Sequence, residues 1–107
     1  MSLDVYLEDE AGNEFYWANI THNLRKMAEA AGIYACLWRP EENGIVKAQQ
    51  IIEPLAEGLS KISADEAKFE AFNAPNGWGK LKDFLPWCEK YLQACRENPD
   101  AFVRVSR

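Results

Sequence analysis

Residues 2–8 read Ser-Leu-Asp-Val-Tyr-Leu-Glu, and their alternation decides the fold class. Leu3, Val5 and Leu7 fall on one side and Asp4, Tyr6 and Glu8 on the other. That period of two, with β-branched and aromatic content, predicts a strand with one face in a core. Residues 102–107, Phe-Val-Arg-Val-Ser-Arg, repeat the pattern, with Phe102, Val103 and Val105 set against Arg104 and Arg107. No other segment reads as well as a strand. A strand alone leaves its backbone donors and acceptors unpaired, so the two segments are predicted to pair with each other. Arg104 and Arg107 would then face Asp4, Tyr6 or Glu8, each opposite-charge pair adding roughly a few tenths of a kcal/mol. Asp9 to Asn13 has Gly12 and Asn13 where a tight bend after the first strand needs them.

The intervening chain has helical spacing. Ile20, Leu24, Met27, Ala28 and Ala31 form one apolar stripe, with Asn19 or Thr21 placed to cap its start and Gly32 to end it. Residues 33–38 are too short and too uniformly apolar to assign by period; they form a buried helical turn or a short extended piece closed by Pro40. Ile45, Ala48, Ile51, Ile52, Leu55, Leu59 and Ile62 mark a second helix, which Pro54 is expected to kink or split. Ser63 to Glu66 reads as a capping box opening a short helix with Phe69 and Phe72. After a loop over residues 73–79, Leu81, Phe84, Leu85, Cys88, Leu92 and Cys95 space as a long last helix, with Pro86 expected in its first turn. The predicted architecture is therefore α+β: three to four helices packed with a two-stranded sheet formed by the N- and C-terminal strands, in one globular domain over residues 1–107.

Charge narrows the function classes. The chain of 107 residues has a formal net charge of −5, and residues 1–14 carry Asp4, Glu8, Asp9, Glu10 and Glu14 without a Lys or Arg. The remainder is balanced, so no basic stripe exists to neutralise phosphates, and direct nucleic-acid binding is disfavoured. The acidic start is a solvated strand end, or else a surface for a basic partner. Cys36, Cys88 and Cys95 show neither paired-cysteine nor Cys/His ligand spacing, so no disulfide framework or zinc site is expected. No apolar run approaches the roughly 20 residues that span a bilayer, and no signal peptide opens the chain. A reduced, cytoplasmic protein is expected, without a cofactor or metal.

Three features carry candidate chemistry. The first is His22, the one histidine, between Thr21 and Asn23. In the first turn of a helix it would lie among free backbone N–H groups, whose positive field favours the neutral ring. Such a ring suits a structural hydrogen bond, a ligand contact or, with an orienting carboxylate, catalysis. The second is Trp38-Arg39-Pro40-Glu41-Glu42, where the Arg39 fork suits a carboxylate or phosphate, unless Glu41 and Glu42 take it internally. The third is the loop Asn76-Gly77-Trp78-Gly79, where Trp78 is expected to be a wedge closing the core rather than an exposed anchor. No nucleophile elbow, phosphate-cradling glycine loop or carboxylate dyad is present.

Ile20-Thr21-His22-Asn23-Leu24, Ala31-Gly32-Ile33-Tyr34, Leu37 to Glu42, Asn76 to Gly79 and Val105-Ser106-Arg107 together resemble a family of small bacterial and phage-type proteins of unknown function. The resemblance covers nearly the whole chain. It implies a standalone bacterial or prophage-encoded domain and assigns no catalytic residue. The expected function is an interaction or small-ligand-binding module, with a protein or a small anion as partner; the alternative is a small enzyme or transfer factor centred on His22. His22, Asn23, Trp38, Arg39 and Trp78 are expected to line one concave patch.

Overall fold

The computed structural model describes residues 2–107. It has an α+β architecture with five α-helices and a three-stranded antiparallel sheet among the described residues. The strands are β1 (Ser2–Glu8), β2 (Glu14–Thr21) and β3 (Phe102–Ser106). β1 is central, flanked by β2 and β3. The pairing of the two terminal segments is present, with Val5 opposite Val105 and Tyr6 opposite Arg104. The sheet nevertheless has three strands rather than two, because the turn at Asp9–Asn13 returns the chain along β1 as a hairpin. Asp9 stabilises that turn by accepting from the backbone N–H of Ala11 at 2.9 Å and of Asn13 at 2.8 Å.

Leu3, Val5 and Leu7 are fully buried, while Asp4, Tyr6 and Glu8 face outward. Arg104 lies 3.8 Å from the centre of the Tyr6 ring and forks onto Glu8 with two bonds of 2.9 Å. Arg107 does not join that ladder; it reaches over to Trp38 and Glu41.

A 3-10 turn at His22–Leu24 follows β2, then α1 (Arg25–Ala31), α2 (Tyr34–Trp38) and a second 3-10 turn at Pro40–Asn43. Ile20, expected at the head of the first helix, ends β2 instead. Gly32 ends α1 at φ +77, the left-handed conformation that glycine adopts without a Cβ penalty. Residues 34–38 take the helical of the two conformations the sequence left open.

The long helices are α3 (Gln49–Ala64) and α5 (Leu81–Glu97), with the short α4 (Glu66–Glu70) between them. Residues 45–48 stay outside α3, and Lys47 bridges to Phe102. Pro54 and Pro86 each occupy the sixth position of their helix. Pro54 does not split α3, and Pro86 lies past the first turn of α5. Each removes the bond that its N–H would have made to the carbonyl four residues back, at Gln50 and Lys82. The capping box resolves into a single cap at Asp65, whose side chain accepts from Lys68 N–H at 3.3 Å.

The helices cover only the inner face of the sheet. Tyr16 of β2 stacks on Tyr91 of α5, ring centres 6.0 Å apart. Trp38, Tyr91, Phe84 and Phe69 are the largest fully buried side chains, each contributing about 1.5–3 kcal/mol over an exposed counterpart. Cys36, Cys88 and Cys95 are all free and buried in this core. Burial pushes the Cys36 and Cys95 thiols up to about 12 and Cys88 well above its ordinary value, so all three are inert hydrophobes. No helix of the described residues is long and apolar enough to cross a membrane.

Candidate functional site

The turn after β2 places His22. Thr21 is extended and its hydroxyl accepts from Asn23 N–H at 3.2 Å, so the chain tightens at once into the 3-10 turn. His22 is left half-buried at the junction of sheet and helices. Its Nδ1 accepts from the Trp38 indole Nε1–H at 2.9 Å. Indole nitrogen is donor-only, so Nδ1 must present its lone pair and the ring proton must sit on Nε2. Burial, with a further push from the Arg25 cation, holds the His22 pKa below its ordinary 6.5. The ring is therefore neutral as expected, although desolvation and the indole donor account for it rather than a helix end.

Trp38 is fixed on its other side as well. It stacks on Tyr34 with ring centres 5.6 Å apart, and Tyr34 Oη accepts from Arg39 Nε at 3.3 Å. Arg39 also donates to Glu42 at 2.7 Å, and Arg107 donates to the Trp38 carbonyl oxygen at 2.7 Å and to the Glu41 carboxylate. The arginine partner holds Glu41 below the usual carboxylate range. Glu42 thus serves its near neighbour Arg39, while Arg107 from the last strand's end reaches Glu41 and comes within 3.9 Å of Glu42.

These side chains bound an open groove of about 460 Å³ lined by His22, Arg25, Tyr34, Trp38, Arg39 and Arg107. That volume lies within the range of small-molecule sites. Three guanidinium groups and one imidazole line it, and no carboxylate does; the acidic partners stand at its rim. Arg25 is the cation least engaged, 4.0 Å from Glu29 with both side chains more than half exposed.

Of the five residues expected in one patch, His22, Trp38 and Arg39 share this groove. Asn23 faces an adjoining groove, which His22 also borders, along with Arg25, Lys26, Phe72 and Pro75. Trp78 is elsewhere. Its backbone oxygen accepts from Asn23 Nδ2 at 2.8 Å, but its ring is 72% exposed and borders a different groove, lined also by Asn19, Ile20 and Thr21. Trp78 is therefore not a wedge in the core. The buried residue of that loop is Gly79, at φ +118, where a Cβ would stand 3.1 Å from Asn23 Cβ. Its lack of a side chain lets the loop close on the 21–24 turn and turns Trp78 outward.

The expected patch did not include Arg25, Tyr34 and Arg107, which also line the groove. Arg25 and Tyr34 are close enough to His22 and Trp38 in sequence for helical spacing to have suggested them. Arg107 joins only because β3 pairs with β1 and carries the chain past α2. Among the described residues no group of three His, Cys, Asp or Glu side chains is arranged to hold a metal. Set against protein-family models, curated proteins and solved structures, the chain matches none, so its function is read from the groove alone.

Proposed function

We propose that the chain binds a small anion with a flat or apolar body in the groove between His22, Arg25, Arg39 and Arg107. The observation that carries this reading is the lining itself: three guanidinium groups and a neutral imidazole whose Nε2–H has no partner among the described residues, beside the Tyr34–Trp38 stack, with no carboxylate among them. Guanidinium forks match carboxylate and phosphate oxygens. Arg39 and Arg107 already share theirs with Glu42 and Glu41, so Arg25 supplies the open fork, and the part-exposed Tyr34 ring offers a face for an apolar body. Binding is favoured over catalysis because an indole, not a carboxylate, orients His22. A general base is ordinarily set by an acceptor that stabilises its protonated form, and an indole N–H opposes that form.

Calorimetric titration with inorganic phosphate and with phenyl phosphate tests the reading. Phenyl phosphate is expected to bind more tightly than phosphate, and Arg25→Gln to weaken both without lowering the melting temperature. No heat from either anion at millimolar concentration, or equal binding by Arg25→Gln, would sink the proposal.

A further inference from the structure

The outer edge of β2 is open. β1 pairs with one side of it, and among the described residues no strand or bridge pairs with the other. The opposite edge of the sheet is partly covered, since Val103 N–H donates to the Val46 carbonyl at 2.9 Å and Lys47 bridges to Phe102. β2 lacks the usual protection of an edge strand. None of Glu14–Thr21 is Lys, Arg or Pro, and the one bulge lies at the Glu14 end, leaving Tyr16–Thr21 in regular register.

A groove runs beside the second half of this strand. Asn19, Ile20 and Thr21 form one wall, and Trp78, Asp83 and Trp87 the other. Trp78 is 72% exposed, and Trp17, opposite Tyr6 on the outer face of the sheet, is 52% exposed. Asp83 is the one charged residue lining the groove, and Glu10 and Glu14 add negative charge where the strand begins. Open backbone groups and flanking indoles thus occur together, with acidic Glu14 and Asp83 beside them.

We propose that β2 takes up a basic, extended peptide segment of a partner protein as a fourth strand lying in this groove. The added backbone would satisfy the outward N–H and C=O groups of Tyr16–Thr21, the usual source of affinity in strand addition. Alternate side chains would lay their aliphatic stems on Trp17 and Trp78, and Lys or Arg heads would meet Glu14 and Asp83. A second copy of the chain is the wrong occupant on charge: it would set Glu14, Asp83 and a net charge of −5 against their like. This surface is separate from the groove at His22, which the strand would not enter.

The test uses the whole chain with two capped eight-residue peptides, one alternating lysine and valine, the other glutamate and valine. Amide hydrogen exchange along β2 and sedimentation are the readouts. The lysine peptide is expected to slow exchange of amides in residues 16–21 by about tenfold or more, equivalent to about 1.4 kcal/mol, while the glutamate peptide does nothing. Trp17→Lys and Asp83→Asn should each remove most of that protection while leaving the response to phosphate unchanged. Equal protection by both peptides, or none by either, overturns the proposal. So does a chain that sediments as a dimer with β2 already protected, since the occupant is then a second copy.

Discussion

The indole of Trp38 and the imidazole of His22 meet at 2.9 Å through a donor that has no acceptor form. Protonating His22 would set two N–H groups against each other, so the bond favours the neutral ring. The His22 pKa is lowered in the fold, so the unfolded chain binds more protons between the two values. The contribution of this pair is fully present above about pH 6.5, falls as pH drops below it, and levels off below the folded pKa. Urea midpoints between pH 7.5 and 5.5 should fall for the native sequence and stay flatter for His22→Gln. A native midpoint that rises on acidification would contradict the assignment of Nδ1 as acceptor. Glu8 and Glu41, whose pKa values are lowered by Arg104 and Arg107, lose their contribution only below about pH 4.5, a separate window.

Removing either partner leaves different debts. His22→Ala strips the Trp38 N–H of its acceptor and is expected to cost about 1 kcal/mol, the low end for an orphaned donor because the bond is only part-buried. Trp38→Phe costs more, since Trp38 is 1% exposed and its loss opens space in the core. The double variant should be more stable than the sum of the two by about 1 kcal/mol, because no donor remains to be orphaned. Additive effects in a denaturation cycle would mean that the bond is not formed in solution. The same logic makes His22→Ala a poor probe of ligand binding, and His22→Gln a better one.

Gly58 lies buried inside α3, where helix propensity alone makes alanine better by roughly 1 kcal/mol. A Cβ there would stand 2.0 Å from Ile33 Cγ2 and 3.1 Å from the Ala31 carbonyl oxygen. The clash should win. Gly58→Ala is expected to destabilise by about 1–3 kcal/mol, measured by chemical denaturation. A paired Ile33→Val should recover little of the loss, because valine keeps the Cγ2 methyl that meets the new Cβ.

Tyr91 is fully buried, and its hydroxyl has no hydrogen-bond partner among the described residues. The ring packs against Tyr16 and Trp87, so the hydroxyl is carried at a cost rather than used for packing. Tyr91→Phe keeps those stacks and is expected to raise stability by about 1 kcal/mol. A lower melting temperature would reveal a partner for that hydroxyl.

The sheet was half legible because its contrast is uneven. β1 alternates apolar and polar residues and reads as a strand at sight. β2 carries Phe15 and Trp17 among the exposed positions beside Tyr16, Ala18 and Ile20, so both faces look apolar and the period of two vanishes. Ile20 then also fits a helical stripe with Leu24 and Met27, which hid the strand's end. The site divides the same way. His22, Trp38 and Arg39 come together through short-range turns whose caps can be read from the sequence. Arg107 arrives through a pairing that spans the chain, and the outward turn of Trp78 depends on how closely Gly79 approaches Asn23. Neither is a local property.

The central position of β1 has a consequence for how the protein is made. Its first neighbour, β2, lies one short turn away and can form a hairpin as soon as both are synthesised. Its second neighbour, β3, is the last element of the described chain, with Asp4 opposite Ser106. Until residue 106 has been added, the strand under which the core assembles has a bare edge, and Arg107 is not there to hold α2 over it. Elongation is slow compared with hairpin closure, so a nascent chain carries that unpaired edge until residues 102–106 have followed. Closing the sheet is therefore a late event that follows the hairpin, and a chain stalled before residues 102–106 would be the form most exposed to mispairing and to chaperones.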